Sequence, residues 1–302
     1  MPASDPCNIC PRSCGIDRTV YTGACGTGGK LKVARAALHH WEEPCISGRR
    51  GSGAVFFSGC ALHCSYCQNK KISDGKAGVE IDKERLYEIL FELEDQGAHN
   101  INLVTGDHFI PLIAEVLIKA RTQGLRIPVI FNCSGYETVE ALKMLDGLID
   151  IYLPDFKYMD PSLALRYSKA PDYPDTAKKA IAEMVRQCPE CVFDGDGMIR
   201  KGVIVRHLLL PGCVKDAVMI SAYLYDTYGD AIFISLMSQY TPMPGTAACA
   251  PGLSRRVTKR EYEKYVDHAI ETGIKNAYIQ EMTVSKESFI PEFDNKGVLR
   301  PE

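Results

Sequence analysis

No run in this 302-residue chain approaches the roughly 18 apolar residues that a membrane-crossing helix needs, so a membrane partner is not expected. The opening Met1-Pro2-Ala3-Ser4-Asp5-Pro6 has neither a basic start nor an apolar core, which predicts an uncleaved, cytoplasmic protein. Positive charge is not in excess either. Lys and Arg total 35 against 38 Asp and Glu, a formal charge of -3, so there is no net field to collect phosphates and nucleic acid is not an expected partner. Low-complexity segments are missing, and so is a convincing linker. With 46% hydrophobic and 24% charged residues, disorder and collagen are excluded, and the length suits one large domain or two small ones.

What the chain does have is cysteine: 13 residues, an odd number arranged in clusters, eight of them within the first 67 positions. In a reducing compartment such thiols serve as metal ligands or redox groups more often than as a disulfide framework. Metal chemistry is therefore to be sought near the N-terminus. Residues 1–45 show little periodicity and are too short to build a core unaided, so they are expected to form a small metal-held appendage to a domain spanning 46–302.

From Ala54 onward short apolar runs alternate with amphipathic stretches, the signature of repeated β/α units. Strands are predicted at Ala54–Ser58, Ile101–Thr105, Pro128–Asn132, Asp150–Asp155, Val203–Leu209 and Ala231–Leu236. The predicted helices are Lys83–Gln96, Pro111–Thr122, Thr138–Leu145, Thr176–Arg186 and Asp216–Tyr228, followed by Lys259–Thr272 and a short run Ala277–Ile279. None of these strands is close enough to the next for a hairpin, which implies parallel order with right-handed crossovers. This suits an open doubly wound sheet or part of a (β/α) barrel; with the resemblance described below, the expected fold is α/β, a partial (β/α)6 TIM-type barrel with a small N-terminal Cys-rich segment. Chemistry in such sheets collects beyond the C-terminal strand ends.

Just there, after the first predicted strand, lies Gly59-Cys60-Ala61-Leu62-His63-Cys64-Ser65-Tyr66-Cys67-Gln68-Asn69. Three thiolates spaced Cys60-x3-Cys64-x2-Cys67 on one loop can converge on a soft centre. A four-iron cluster ligated by three cysteines keeps one iron open, which indicates reactivity rather than scaffolding. A zinc site completed by His63 is the plainer alternative. This loop, with Tyr66 before its last cysteine, resembles that of the radical S-adenosylmethionine (SAM) superfamily. The resemblance implies a 4Fe-4S cluster at Cys60, Cys64 and Cys67 whose open iron is chelated by SAM. It further implies reductive cleavage of SAM to a 5′-deoxyadenosyl radical that abstracts hydrogen, and a reducing partner such as flavodoxin or ferredoxin.

Trp41-Glu42-Glu43-Pro44, Gly51-Ser52-Gly53, Phe56-Phe57-Ser58-Gly59-Cys60, Arg206-His207-Leu208-Leu209-Leu210-Pro211-Gly212 and Ser235-Leu236-Met237-Ser238-Gln239-Tyr240 extend the likeness to proteins grouped as pyruvate formate-lyase activating enzyme-related. That implies an activase-like oxidoreductase acting on a glycyl radical enzyme. Radical modification of a small molecule or peptide is the alternative within enzymes, and a non-catalytic iron-sulfur electron-transfer protein the alternative outside them.

SAM needs acceptors for its amine, a cation or donors for its carboxylate, and polar groups for its ribose. The superfamily often has Gly-Gly-Glu after the second strand, where this chain has Thr105-Gly106-Asp107. Gly106 permits close backbone approach, and Thr105 or Asp107 offers an acceptor to the amine. Asp155-Phe156-Lys157 matches an activase Asp-x-Lys, which by resemblance sets Lys157 on the carboxylate and Asp155 in an ordering role. Asn132 and Ser134 are the ribose candidates, and Arg206 is a second candidate cation. A surface ion pair is the plainer reading of Asp155 and Lys157. Arg206 and His207 alternate faces, so at most one points inward.

Cys7-x2-Cys10-x3-Cys14-x10-Cys25 is a second thiol group, with Cys14 and Cys25 each followed by glycine. Four thiolates close a tetrahedral site, which suits structural Zn, and a second 4Fe-4S cluster competes for it. Cys45, Cys133, Cys188, Cys191, Cys213 and Cys249 remain. Cys188-x2-Cys191 has redox spacing but follows a helix instead of opening one, so it lacks helix-dipole activation and is read as structural.

Overall fold

A computed structural model describes residues 6–243, 250–280 and 291–300. The first five residues and Cys249 lie outside them. In chain order the elements are β1 (Leu31–His39), α1 (Pro44–Ser47), β2 (Ser52–Phe57), α2 (Lys70–Ser73), β3 (Val79–Ile81), α3 (Lys83–Asp95), β4 (Ile101–Val104), α4 (Ile110–Thr122), β5 (Val129–Cys133), α5 (Val139–Lys143) and β6 (Ile151–Pro154). They continue with α6 (Pro161–Ser168), α7 (Tyr173–Gln187), β7 (Val192–Phe193), β8 (Ile199–Leu208), α8 (Val214–Tyr228), β9 (Phe233–Met237), α9 (Lys259–Glu271) and β10 (Ala277–Ile279).

The sheet order is β10-β9-β8-β6-β5-β4-β2-β1-β3. From β2 to β10 every neighbouring pair is parallel, each strand laid beside its predecessor by a helical crossover. This is the expected partial TIM-type barrel, with a sheet that does not close on itself. Local chemistry starts its helices where the chain requires. Asp82 caps α3 by accepting from the Arg85 N–H, and Thr258 and Glu261 form a reciprocal capping box on α9.

Antiparallel pairing was not expected, yet it occurs at three places. Strand β1 runs against β2 from Val33↔Phe57 to His39↔Ser52, β3 against β1, and β7 against β8. Leu31–His39 is thus part of the main sheet, and the expected division at residue 45 falls inside a segment bound to it. Helix α6 was also missed, and β8 begins at Ile199 instead of Val203.

Alternation along the strands separates two environments. One face carries Ile101, Leu103, Val129, Phe131, Tyr152, Val203 and Val205, which join Ile89, Leu117, Ile181 and Ile220 of the long helices. The other carries Ile130, Ile151, Leu153 and Ile204 and packs on Cys45 and Ile46 of α1. The chain between β1 and α1 therefore re-enters the barrel interior, and that places Glu42 and Glu43 among the strand side chains.

Candidate functional site

Strand β2 ends at Phe57, and its sequel turns sharply. Gly59 has φ 96°, and a Cβ there would meet Thr27 Cγ2 at 2.7 Å, the Cys25 carbonyl at 2.8 Å and His108 Nε2 at 2.9 Å, so only glycine fits. Cys60, Cys64 and Cys67 follow and line a single cavity of about 250 Å³ together with Tyr66, Thr105, Asn132, Ser134, Asp155, Lys157 and Arg206. Of the twelve predicted residues of this site, ten line the cavity. Gly106 and Asp107 do not; Asp107 is buried beside Ser134 and Glu137 instead.

Burial pushes the Cys60 thiol up, and the neighbouring Cys64, Asp107 and Cys67 push it further; Cys67 is raised by burial and by Cys64. Such mutual repulsion is what a shared metal centre relieves, because binding requires and stabilises thiolates. Donors already point at the sulfurs: the His63 N–H at Cys60, the Asn69 N–H at Cys67, and the Ser168 hydroxyl at Cys64 at 3.1 Å. The donor set and its convergence fit an iron-sulfur cluster with three protein ligands. Tyr66 is fixed beneath the loop, accepting from the Tyr158 hydroxyl at 2.9 Å and set edge-on to Tyr158, Tyr167 and Tyr240.

Opposite the cysteines lies a charged network that is not on the surface. Lys157 Nζ donates to Asp155 Oδ2 at 2.5 Å, and Arg206 Nε donates to Asp155 Oδ1 at 2.9 Å. Burial opposes charge on Asp155, yet Lys157 and Arg206 hold its carboxyl below the ordinary range. Burial likewise opposes charge on Lys157, but Asp155 and the thiols of Cys64 and Cys67 raise it, so it stays cationic. Arg206 is committed elsewhere, with Nη1 on Glu42 Oε2 at 3.0 Å and Nη2 on Asn132 Oδ1 at 2.6 Å. Asn132 also spends its amide, donating to Glu42 Oε1 at 3.2 Å. His207 faces away, bonded to the Phe156 carbonyl and edge-on to Tyr265.

Three features escaped the sequence reading. Glu42 accepts from Arg206, Asn102 and Asn132 and anchors the network from below; its signal was the Trp41-Glu42-Glu43-Pro44 string, read only for likeness. Thr105 has φ 58°, a costly conformation for a β-branched residue, at the lip of the cavity. Asp107 and Glu137 form a buried acidic pair beside Cys133, in which burial pushes Glu137 up to about 7 and burial with Glu137 raises Asp107.

The N-terminal thiols lie against this site. The Cys60 N–H donates to the Cys25 carbonyl at 2.9 Å, and His63 Nε2 pairs with the Ala24 carbonyl at 2.7 Å. Cys188 and Cys191 are both free, and the hydrogen bonds of their sulfurs run to backbone carbonyls.

Uncharacterized protein MJ0674 of Methanocaldococcus jannaschii is 29% identical over 291 residues, covering 90% of this chain and 76% of that protein. The FeFe-hydrogenase maturase HydG from Carboxydothermus hydrogenoformans superposes with a TM-score of 0.50 at 13% identity, over 74% of this chain and 52% of HydG. This chain thus spans about half the length of that structure and shares its fold. Streptococcus suis SuiB, solved with its precursor peptide SuiA, superposes at 0.49 and 13% identity over 74% of this chain and 46% of SuiB. No helix among the described residues is long and apolar enough to cross a membrane. The radical SAM superfamily model matches residues 54–200, the stretch that runs from β2 through the cysteine loop into β8. Over residues 54–200 the chain is thus similar to the radical SAM superfamily, a family that implies a 4Fe-4S cluster and SAM.

Proposed function

We propose that this protein cleaves SAM reductively and uses the resulting radical to abstract hydrogen from a substrate. The observation that carries the reading is the convergence of Cys60, Cys64 and Cys67 with the Lys157–Asp155 pair in one cavity at the C-terminal strand ends. A cluster held there and reduced by the external reductant would supply one electron to the sulfonium of bound SAM, breaking its bond to the adenosyl carbon to give methionine and a 5′-deoxyadenosyl radical. In this reading the three cysteines hold the cluster. Lys157 meets the methionine carboxylate, and Asp155 keeps Lys157 charged and oriented. Thr105 and the adjacent strand-end backbone face the amine, and Ser134 faces the ribose. Asn132 and Arg206, whose polar atoms are spent on Glu42, Asp155 and each other, shape the cavity wall.

The substrate we favour is a polypeptide, as in activation of a glycyl radical enzyme, with flavodoxin or ferredoxin as reductant. The unclosed sheet supports this by leaving room for a loop to approach. A metal at Cys7, Cys10, Cys14 and Cys25 belongs to the same reading. Reduced protein incubated anaerobically with SAM should form 5′-deoxyadenosine, and a partner should acquire a glycyl radical visible by electron paramagnetic resonance. Absence of 5′-deoxyadenosine would refute the cleavage reading, whereas its formation without a glycyl radical would refute only the activase assignment.

A further inference from the structure

Cys188, Cys191 and Cys213 turn their sulfurs toward backbone carbonyls at 3.4–3.7 Å, contacts in which the thiol must be the donor. Cys64 is used the other way round. The Ser168 hydroxyl donates to its Sγ at 3.1 Å, a shorter contact and one that strengthens when the sulfur is a thiolate. Cys64 is 7% exposed and Ser168 1%, so bulk water does not compete for this bond.

Ser168 is the last residue of α6, and its position against the cysteine loop is fixed from several sides. The Ser65 N–H of the loop donates to the Tyr167 carbonyl at 2.8 Å. Arg12 spans the same gap, with Nε on the Ala61 carbonyl at 2.9 Å, Nη2 on the Ser168 carbonyl at 2.8 Å and Nη1 on the Lys169 carbonyl at 2.6 Å. Lys169 then ends the helix in the left-handed region, at φ 50°. The Tyr158 hydroxyl lies 2.8 Å from Ser168 Oγ and holds the side chain as the carbonyl bonds hold the backbone.

The other two sulfurs of the loop draw on their own neighbourhood. Cys60 receives the His63 N–H and Cys67 the Asn69 N–H, donors that any sequence following this path would supply. The Ser73 hydroxyl also reaches Cys67, but it is shared with the Lys70 carbonyl at 3.3 Å. Ser168 comes from 104 residues further along the chain, so its hydroxyl is set by this sequence and not by the loop. Nor does it line the SAM cavity, and replacing it leaves the cavity groups in place.

We propose, on the reading that Cys60, Cys64 and Cys67 hold a reducible 4Fe-4S cluster, that Ser168 is a positioning residue whose hydrogen bond to Cys64 sets the reduction potential. An added electron puts further negative charge on the ligating sulfurs, so a donor to one of them favours the reduced form and raises the potential. Arg12 and Tyr158 hold that donor in place.

Potentiometric titration of the anaerobically reconstituted protein tests this, followed by the electron paramagnetic resonance signal that is missing from Cys60→Ala/Cys64→Ala/Cys67→Ala. At a fixed poise Ser168→Ala should show a reduced-to-oxidised ratio roughly tenfold lower than the parent, a potential about 59 mV more negative. Ser168→Thr and Ser168→Val are close in shape and differ in the hydroxyl, so the first should stay near the parent and the second should follow Ser168→Ala. A parental potential in Ser168→Ala, or equal potentials in the Thr and Val variants, would overturn the proposal. If Ser168→Ala does not assemble the cluster, the Thr and Val comparison decides alone. A parent without a signal that depends on the three cysteines would overturn the proposed function and this inference together. The expected shift in a protein that forms no 5′-deoxyadenosine would refute the proposed function and leave the role of Ser168 standing.

Discussion

Removing Lys157 and removing Arg206 should do different damage, although both cations contact Asp155. In Lys157→Ala, Asp155 keeps its 2.9 Å bond from Arg206, so no buried carboxylate is left without a partner. On the proposed reading, what is lost is the contact to the methionine carboxylate, a charge-assisted hydrogen bond worth about 1.5 to 3 kcal/mol, or roughly ten- to a hundredfold in SAM affinity. In Arg206→Ala the loss falls on the protein itself, since Glu42, Asp155 and Asn132 all surrender a donor. Glu42 and Arg206 have side chains only 10% and 12% exposed, and breaking such a buried pair from one side costs about 3–5 kcal/mol. For a domain of this size that lowers the thermal midpoint by on the order of 10 °C. Isothermal titration with SAM under anaerobic conditions and thermal scanning of the same reconstituted samples separate the two effects. Lys157→Ala should keep its iron and its midpoint while binding weakly. Parental affinity in Lys157→Ala would refute its placement on the carboxylate, and an unchanged midpoint in Arg206→Ala would refute the network.

Glu42→Gln removes the acceptor charge that Arg206, Asn102 and Asn132 share, and should destabilise by about 3 kcal/mol, measured by the same thermal scan. Gly59→Ala forces a Cβ onto the Cys25 carbonyl and His108, so iron retention at the three-cysteine loop should fall in reconstitution assays. Glu137 is raised to about 7 by burial, above an unfolded value of about 4.3, so its stabilising contribution is complete below pH ~4.3 and lost as pH rises toward 7. Glu137→Gln should therefore flatten the fall in thermal midpoint between pH 5 and 7, and an unaltered slope would show that another group sets it.

The barrel was legible because its strands and helices are local patterns. Val129–Phe131 is an apolar run that leads into Asn132 and Cys133, and Lys83–Asp95 has helical spacing behind an Asp82 cap. Strand β1 was not legible. Leu31–His39 is mostly Ala, Lys and Arg around Leu31, Val33 and Leu38, a composition with weak strand preference, and it is extended because β2 and β3 supply its hydrogen bonds. The cysteines, Lys157 and Asp155 could be found because strand ends and loop spacing predict where they converge. Glu42 could not, since its role depends on a loop that folds back among strands placed far along the chain. The position of Asp107 was not legible for a related reason: the turn after β4 sets it beside Ser134 and Glu137, outside the cavity lining.

The central claim is that Cys60, Cys64 and Cys67 carry the chemistry, and the product of SAM cleavage tests it most directly. Parent protein and Cys60→Ala/Cys64→Ala/Cys67→Ala, both reconstituted and reduced anaerobically, should be given SAM and assayed for 5′-deoxyadenosine by liquid chromatography. The account predicts 5′-deoxyadenosine from the parent and none from the variant. Equal 5′-deoxyadenosine from the two, or none from the parent, would contradict it.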